Sequence, residues 1–231
     1  MPLSGAAALA MWWQIEPAMR DEFQDWHSHE HFTERMNIPG FRRGSRWADR
    51  DGGEGFFVLY ELESPATLVS PSYLERLNAP TPWSTKMMPH HRNMVRSQCR
   101  VVESFGGGIA QHMLTLRFSP EAEEGGAAWD GLRTVLAGMP DIPGLTGAHV
   151  LRTDTPAIAP TTEQLIRGGD AVADWVVLLS GYDEAATEAA LTAARRALVS
   201  LSVDPASVVA DRYRLSYSLS CHDLPCADHT A

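Results

Sequence analysis

Ile38-Pro39-Gly40-Phe41 returns roughly one hundred residues later as Ile142-Pro143-Gly144-Leu145, each time between a helix-like stretch and a strand-like one. A repeat of that spacing makes the chain two copies of one small βαββαβ unit. Working outward from the first copy, the pattern predicts a strand over residues 11–15 and a helix over 18–36, with acidic residues in its first turn. Strands over 41–47 and 56–61 follow, joined by Asp51-Gly52-Gly53. A second helix is expected over 70–77, then a long irregular segment through Met87-Met88-Pro89-His90-His91, and a fourth strand over 99–105. Residues 6–10, apolar and small, read as a lead-in to the first strand.

Gly106-Gly107-Gly108 is the natural joint, so residues 1–106 are expected to form the first unit and 107–231 the second. The second copy predicts strands over 112–118, 148–152, 175–179 and 213–219, and helices over 121–137 and 184–200. A Pro- and Thr-rich insertion over 153–164 delays its third strand, and residues 221–231 read as a polar tail. Two such units give two four-stranded antiparallel sheets with helices on one face. Packing the bare sheet faces together closes an α+β barrel within one chain.

Bulk properties narrow the function. With 44% hydrophobic and 21% charged residues the chain can bury a core, as a soluble globular protein does. A formal charge of −10 disfavours nucleic acid and anionic membrane as partners. No stretch approaches the roughly 20 apolar residues of a membrane span, and no basic residue precedes the apolar start as in a signal peptide. Cys99, Cys221 and Cys226 suit a reducing cytoplasm better than a disulfide framework, although a Cys221–Cys226 pair is conceivable.

The chemistry concentrates in the first copy. On a wheel of 100° per residue, Met19, Phe23 and Trp26 form an apolar stripe, Glu30 falls in its middle, and His27 and His31 run along its edge. A carboxylate in such a stripe is costly unless paired, and a raised pKa would make it a general acid or base. The structural alternative is a Glu30 bonded to an arginine of the second strand. Sliding the copies by the shared Ile-Pro-Gly sets Gly131, Thr134 and Val135 opposite His27, Glu30 and His31, so the trio is specific to the first copy. In the second strand, alternation puts Arg43, Ser45 and Trp47 on one face and Arg42 and Arg46 on the other. In the third, Phe56, Val58 and Tyr60 share a face. Trp83, His91 and Arg96 read either as a lid or wall for an acidic aromatic ligand or as a surface loop tied down by Met87 and Met88.

These stretches resemble the dimeric α+β barrel superfamily, and most closely its EthD-like members, here fused in tandem. The resemblance rests on Trp26-His27 to Glu30-His31, on Ile38-Pro39-Gly40-Phe41-Arg42-Arg43-Gly44, and on the strand over 56–61. It implies ferredoxin-like units with a ligand cleft between the helices and sheet of one unit, and activities from cofactor-free oxygenases to cyclases and haem proteins.

The expectation is therefore a small-molecule enzyme without organic cofactor, doing isomerase, lyase or cyclase chemistry on a hydrophobic anionic metabolite. His27, Glu30, His31 and Tyr60 are the expected catalytic residues. Trp26, Arg43, Trp47, Trp83, His91 and Arg96 are expected to bind substrate. The alternatives are a non-catalytic ligand-binding protein and a metal enzyme using His27 and His31, because 27–31 matches the H-x-x-E-H string. Haem is disfavoured, since the second copy has no helix histidine to serve as its proximal ligand. Tandem fusion already supplies a whole barrel, so a monomer suffices and a homodimer remains open.

Overall fold

The computed structural model describes residues 3–122 and 124–224. Eight antiparallel strands close into a barrel: β1 (Ala7–Gln14), β2 (Phe41–Asp49), β3 (Gly55–Leu62), β4 (Arg92–Gly106), β5 (His112–Phe118), β6 (Leu145–Thr153), β7 (Trp175–Gly181) and β8 (Val209–Ser220). Around the barrel they run β1-β3-β2-β8-β5-β7-β6-β4. That circle is one order used twice, β4-β1-β3-β2 and then β8-β5-β7-β6. The seams are antiparallel pairings of β2 with β8 and of β4 with β6, each joining the second strand of one half to the fourth of the other. Closure leaves no strand edge unpaired.

The repeated tetrapeptide builds the same turn twice. Phe41 N–H donates to Ile38 O at 3.1 Å and Leu145 N–H to Ile142 O at 3.0 Å. Gly40 and Gly144 have φ of +93° and +97°, the third position of a type II turn after proline in the second. A Cβ there would also meet Thr67 Oγ1 at 2.5 Å or Ala186 Cβ at 2.6 Å. Glycine is required twice over.

Strand alternation sorts the apolar residues into three layers. Trp12, Trp47 and Phe57 stack inside the barrel with Leu151, Val176 and Leu178. Phe56, Val58 and Tyr60 face outward under the first-half helices, α1 (Arg20–Trp26), α2 (Phe32–Met36), α3 (Pro71–Asn78) and α4 (Pro82–Met87). The second half buries Leu114, Leu116 and Leu179 under α5 (Ala127–Ala137) and α7 (Glu184–Val199), with α6 (Thr162–Arg167) between them in sequence. Each fully buried Leu or Phe contributes about 1.5–3 kcal/mol.

Several expected boundaries move. β1 begins at Ala7, so the small apolar run is strand: Ala8 and Ala10 are buried inside the barrel in the same layer as Trp12. β4 starts at Arg92, and the segment before it holds α4 and a 3-10 turn (Met88–His90). The first helix of the second half starts only after Gly125-Gly126. The insertion ends in α6, capped by Thr161 and Gln164. Of the expected tail, Cys221–Asp223 is a 3-10 turn and residues 225–231, Cys226 included, lie outside the described residues.

Candidate active site

Between α1 and α2 the helix widens. His27–His31 form a π-helical turn in which Phe32 N–H bonds back five residues to His27 O. Such turns are frequent at functional sites. The extra residue rotates everything beyond it, so the regular wheel misplaces Glu30. Trp26, His27, His31, Phe32 and Arg35 are buried, and Glu30 sits half-buried at the margin. Its Oε1 accepts from Trp26 Nε1 (3.1 Å), Thr81 Oγ1 (2.6 Å) and Ser84 Oγ (3.4 Å). Glu30 thus ties α4 to the π-turn and does not line the cavity beneath it. The expected dry, inward-facing carboxylate is corrected.

That cavity lies between the helices and the outer face of β1, β3 and β4, among Trp13, Trp26, His27, His31, Tyr60 and His91. It encloses about 30 Å³, room for a water or two. The His27 and His31 rings stack with centroids 5.2 Å apart. His91 packs its ring near Trp13 (5.1 Å).

Hydrogen bonds set the roles of these imidazoles. Arg46 Nη1 donates to His27 Nδ1 at 3.3 Å, so the His27 proton sits on Nε2. His91 Nδ1 donates to Met87 O and Met88 O, both 3.2 Å, leaving Nε2 as an acceptor. His31 Nδ1 is buried with no partner. Burial holds the His27 and His31 pKa values well below the ordinary range, helped by Arg46 beside His27 and Arg35 beside His31. Burial likewise brings His91 down to about 3. All three rings are neutral at pH 7. Burial also pushes the Tyr60 phenol up, and its Oη has no partner.

Three arginines complete the wall. Arg35 Nη2 donates to Glu163 Oε1 at 2.5 Å, both side chains being almost fully buried. Arg96 Nη2 donates to Tyr73 Oη at 2.8 Å, and Arg167 pairs with Asp170 at 2.8 Å. Glu163 and Arg167 come from α6, in the insertion of the second half, so one half's cavity is closed by the other half's chain. Sequence reasoning passed over both residues. The signal was there, since Thr161-x-x-Gln164 is a capping box announcing a helix inside the insertion.

Of the residues expected to bind substrate, Trp26, His91 and Arg96 line the cavity. Arg43 lies elsewhere, paired with Glu61 at 2.6 Å. Trp47 stacks on Phe57 inside the barrel. Trp83 donates to Glu22 at 3.3 Å, outside the cavity. The arginine that reaches the helix histidines is Arg46, from the opposite face of β2. Among the described residues no group of three or more His, Cys, Asp or Glu is placed to hold a metal ion. No described helix is long and apolar enough to cross a membrane.

No protein-family model matches the chain, and no curated protein matches it either. Solved structures do. An anthrone oxidase-like protein aligns with a TM-score of 0.65 at 12% identity, over 98% of this chain and 99% of the other. A "putative monooxygenase" from Fusobacterium nucleatum subsp. nucleatum aligns at 0.58 with 6% identity, over 94% and 95%. A chlorite dismutase mutant from Candidatus Nitrospira defluvii aligns at 0.54 with 7% identity, over 93% of each chain. The likeness is one of fold. It places the chain among ferredoxin-fold α+β barrels, as its strand order does.

Proposed function

We propose that the chain is a small-molecule enzyme that removes a proton from a flat, largely hydrophobic substrate whose acidic C–H is conjugated to a carbonyl. One observation carries this reading. Among the described residues, His31 Nδ1 and Tyr60 Oη are buried polar atoms without partners, and both side chains line one cavity flanked by Trp13 and Trp26. An orphaned buried polar group costs about 1–3 kcal/mol, so a fold keeps two at one cavity when a ligand satisfies them.

The chemistry follows from the protonation states. Neutral His31 takes the proton, and Tyr60 donates its hydroxyl proton in a hydrogen bond to the enolate oxygen that forms. The imidazolium, unfavourable alone in a dry site, forms beside that anion and is paired by it. His27, its tautomer held by Arg46, offers an N–H donor, and His91 offers a second acceptor. Arg96 and the rings of Trp13 and Trp26 orient the substrate. Reprotonation elsewhere gives an isomerase, loss of a leaving group a lyase, internal attack a cyclase. The names of the anthrone oxidase-like and Fusobacterium proteins add a fourth course, oxidation of the carbanion by dioxygen. The EthD-like resemblance of residues 26–44 supports the same reading, and no step calls for an organic cofactor.

The test is deuterium exchange from solvent into anthrone or a related aryl ketone under nitrogen, followed by product formation in air. His31→Ala should slow exchange about 10²–10⁴-fold and Tyr60→Phe about 10²-fold, while Glu30→Gln changes it little. Equal exchange by wild type and His31→Ala, both folded, would remove the assignment.

A further inference from the structure

The cavity's free volume of about 30 Å³ is too small for any metabolite of the proposed class, so something that now fills the site must leave. Glu163 is that group. Its carboxylate is almost fully buried and lines the cavity, although α6 as a whole is a surface element whose Leu165 is 70% exposed. α6 has six residues, follows the largely exposed segment 154–160, and runs into Gly168-Gly169. Its contacts with the first half include Glu163 on Arg35, Thr162 N–H and Oγ1 on Asn78 Oδ1 (3.0 and 3.4 Å), Arg167 on Met88 Sδ (3.7 Å), and Ile166 packed against the apolar core.

The pairing at Arg35 is also incomplete. Glu163 engages only Nη2, and Arg35 Nη1 is buried with no partner. A guanidinium binds a carboxylate most strongly through two parallel N–H···O bonds. Glu163, tethered to its helix, supplies one, and a free carboxylate can supply two. Arg96 is buried, and among the described residues its side-chain partner is the Tyr73 hydroxyl and no carboxylate pairs with it, so it adds positive charge nearby. Trp13 and Trp26 flank the same space.

We propose that Arg35 is the carboxylate subsite of this cavity, that Glu163 occupies it as an internal stand-in, and that an aromatic monocarboxylate displaces Glu163 and lifts α6. This rests on the cavity being the ligand site, as proposed above, and adds the class of ligand and the group it replaces.

Binding of 2-naphthoate and of its uncharged twin, 2-naphthamide, to wild type and Glu163→Gln tests it by titration calorimetry at pH 7. Removing the charged competitor should tighten naphthoate about tenfold or more and leave the amide within about twofold, as expected for one charge-assisted contact. In wild type, naphthoate should also speed amide hydrogen exchange across residues 162–167, a readout that needs no variant. Equal gains for both compounds, or no gain for naphthoate, overturn the displacement while binding itself upholds the cavity. Slower exchange in α6 with naphthoate bound overturns it as well. Failure of either compound to bind any form would remove both this inference and the reading beneath it.

Discussion

The two halves of the barrel share a strand order and a turn, but what lies between helix and sheet differs in kind. From Leu132 to Leu136, α5 spends four residues on an ordinary turn and buries both leucines. The first half spends five between His27 and Phe32. Counted back from the shared turn, this sets buried Leu132, not Gly131, opposite His27, and Met139 opposite Arg35. Imidazole has replaced leucine and guanidinium has replaced methionine at sites that remain fully covered. Trp129 packs on Trp175 with ring centroids 4.2 Å apart on the apolar side, while the other side carries orphaned polar atoms. The fold does not need that polarity, because its own second half does without it. Stability given up at a covered site is the ordinary mark of a functional one.

Acid should separate the halves most widely. His27 and His31 have pKa values well below 6.5 in the fold, and His91 is brought down to about 3. A depressed histidine contributes stability that is complete above its unfolded pKa near 6.5 and lost as pH falls towards its folded value. Each costs about 1.4 kcal/mol per pH unit while it is neutral in the fold and charged in the unfolded chain, and His91 does so down to about pH 3. Denaturant unfolding between pH 6.5 and 4 should show stability falling with pH, and His91→Phe should reduce that slope by about 1.4 kcal/mol per pH unit. An unchanged slope would mean that His91 is not dry.

Converting the first half to the second at Arg35 comes next in size. Arg35→Met alone strands Glu163 as a buried charge and should cost about 3–5 kcal/mol. Adding Glu163→Met should recover most of that loss, measured by the midpoint of urea unfolding. If the double variant is no better than the single, the pair does more than neutralise itself.

Gly40→Ala and Gly144→Ala should each cost about 1–3 kcal/mol, since both meet a positive φ and a close neighbour. A marked inequality would show that the repeated turn is not equally supported. The smallest effect on stability is expected from His27→Leu. Arg46 keeps Gln24 O and Ser28 Oγ as acceptors, so the change should stay within about 1 kcal/mol. Exchange into an aryl ketone should nevertheless fall, and retained exchange with retained stability would make His27 packing alone.

Where the sequence was legible, the reason is periodicity. Strand alternation sorted Phe56, Val58 and Tyr60 from Phe57 and Leu59, and it set Arg46 apart from Arg43 and Trp47 on β2. It could not say which face would meet the helices, because closing the barrel buries apolar residues on both faces of the first-half strands. Glu30 failed for a different reason. The wheel assumes a constant rise and turn, and the π-turn breaks that assumption at the residue being placed. For Glu163 and Arg167 the capping box announced a helix but not where it would dock, because they reach the site from the other half of the chain.

Two copies of a turn that only glycine can complete, with strand patterns of period two on either side, were enough for the amino-acid order to dictate an eight-stranded barrel. Those are local properties, expressed wherever the chain is read. The meeting of His31, Tyr60, Arg35 and Glu163 in one closed space was decided by tertiary structure alone. Closing the barrel brings β4 alongside β6, and the chain leaving β6 crosses over the first half's cavity. Long-range pairing of that kind is set by which apolar faces must be covered, and no nearby residue records it.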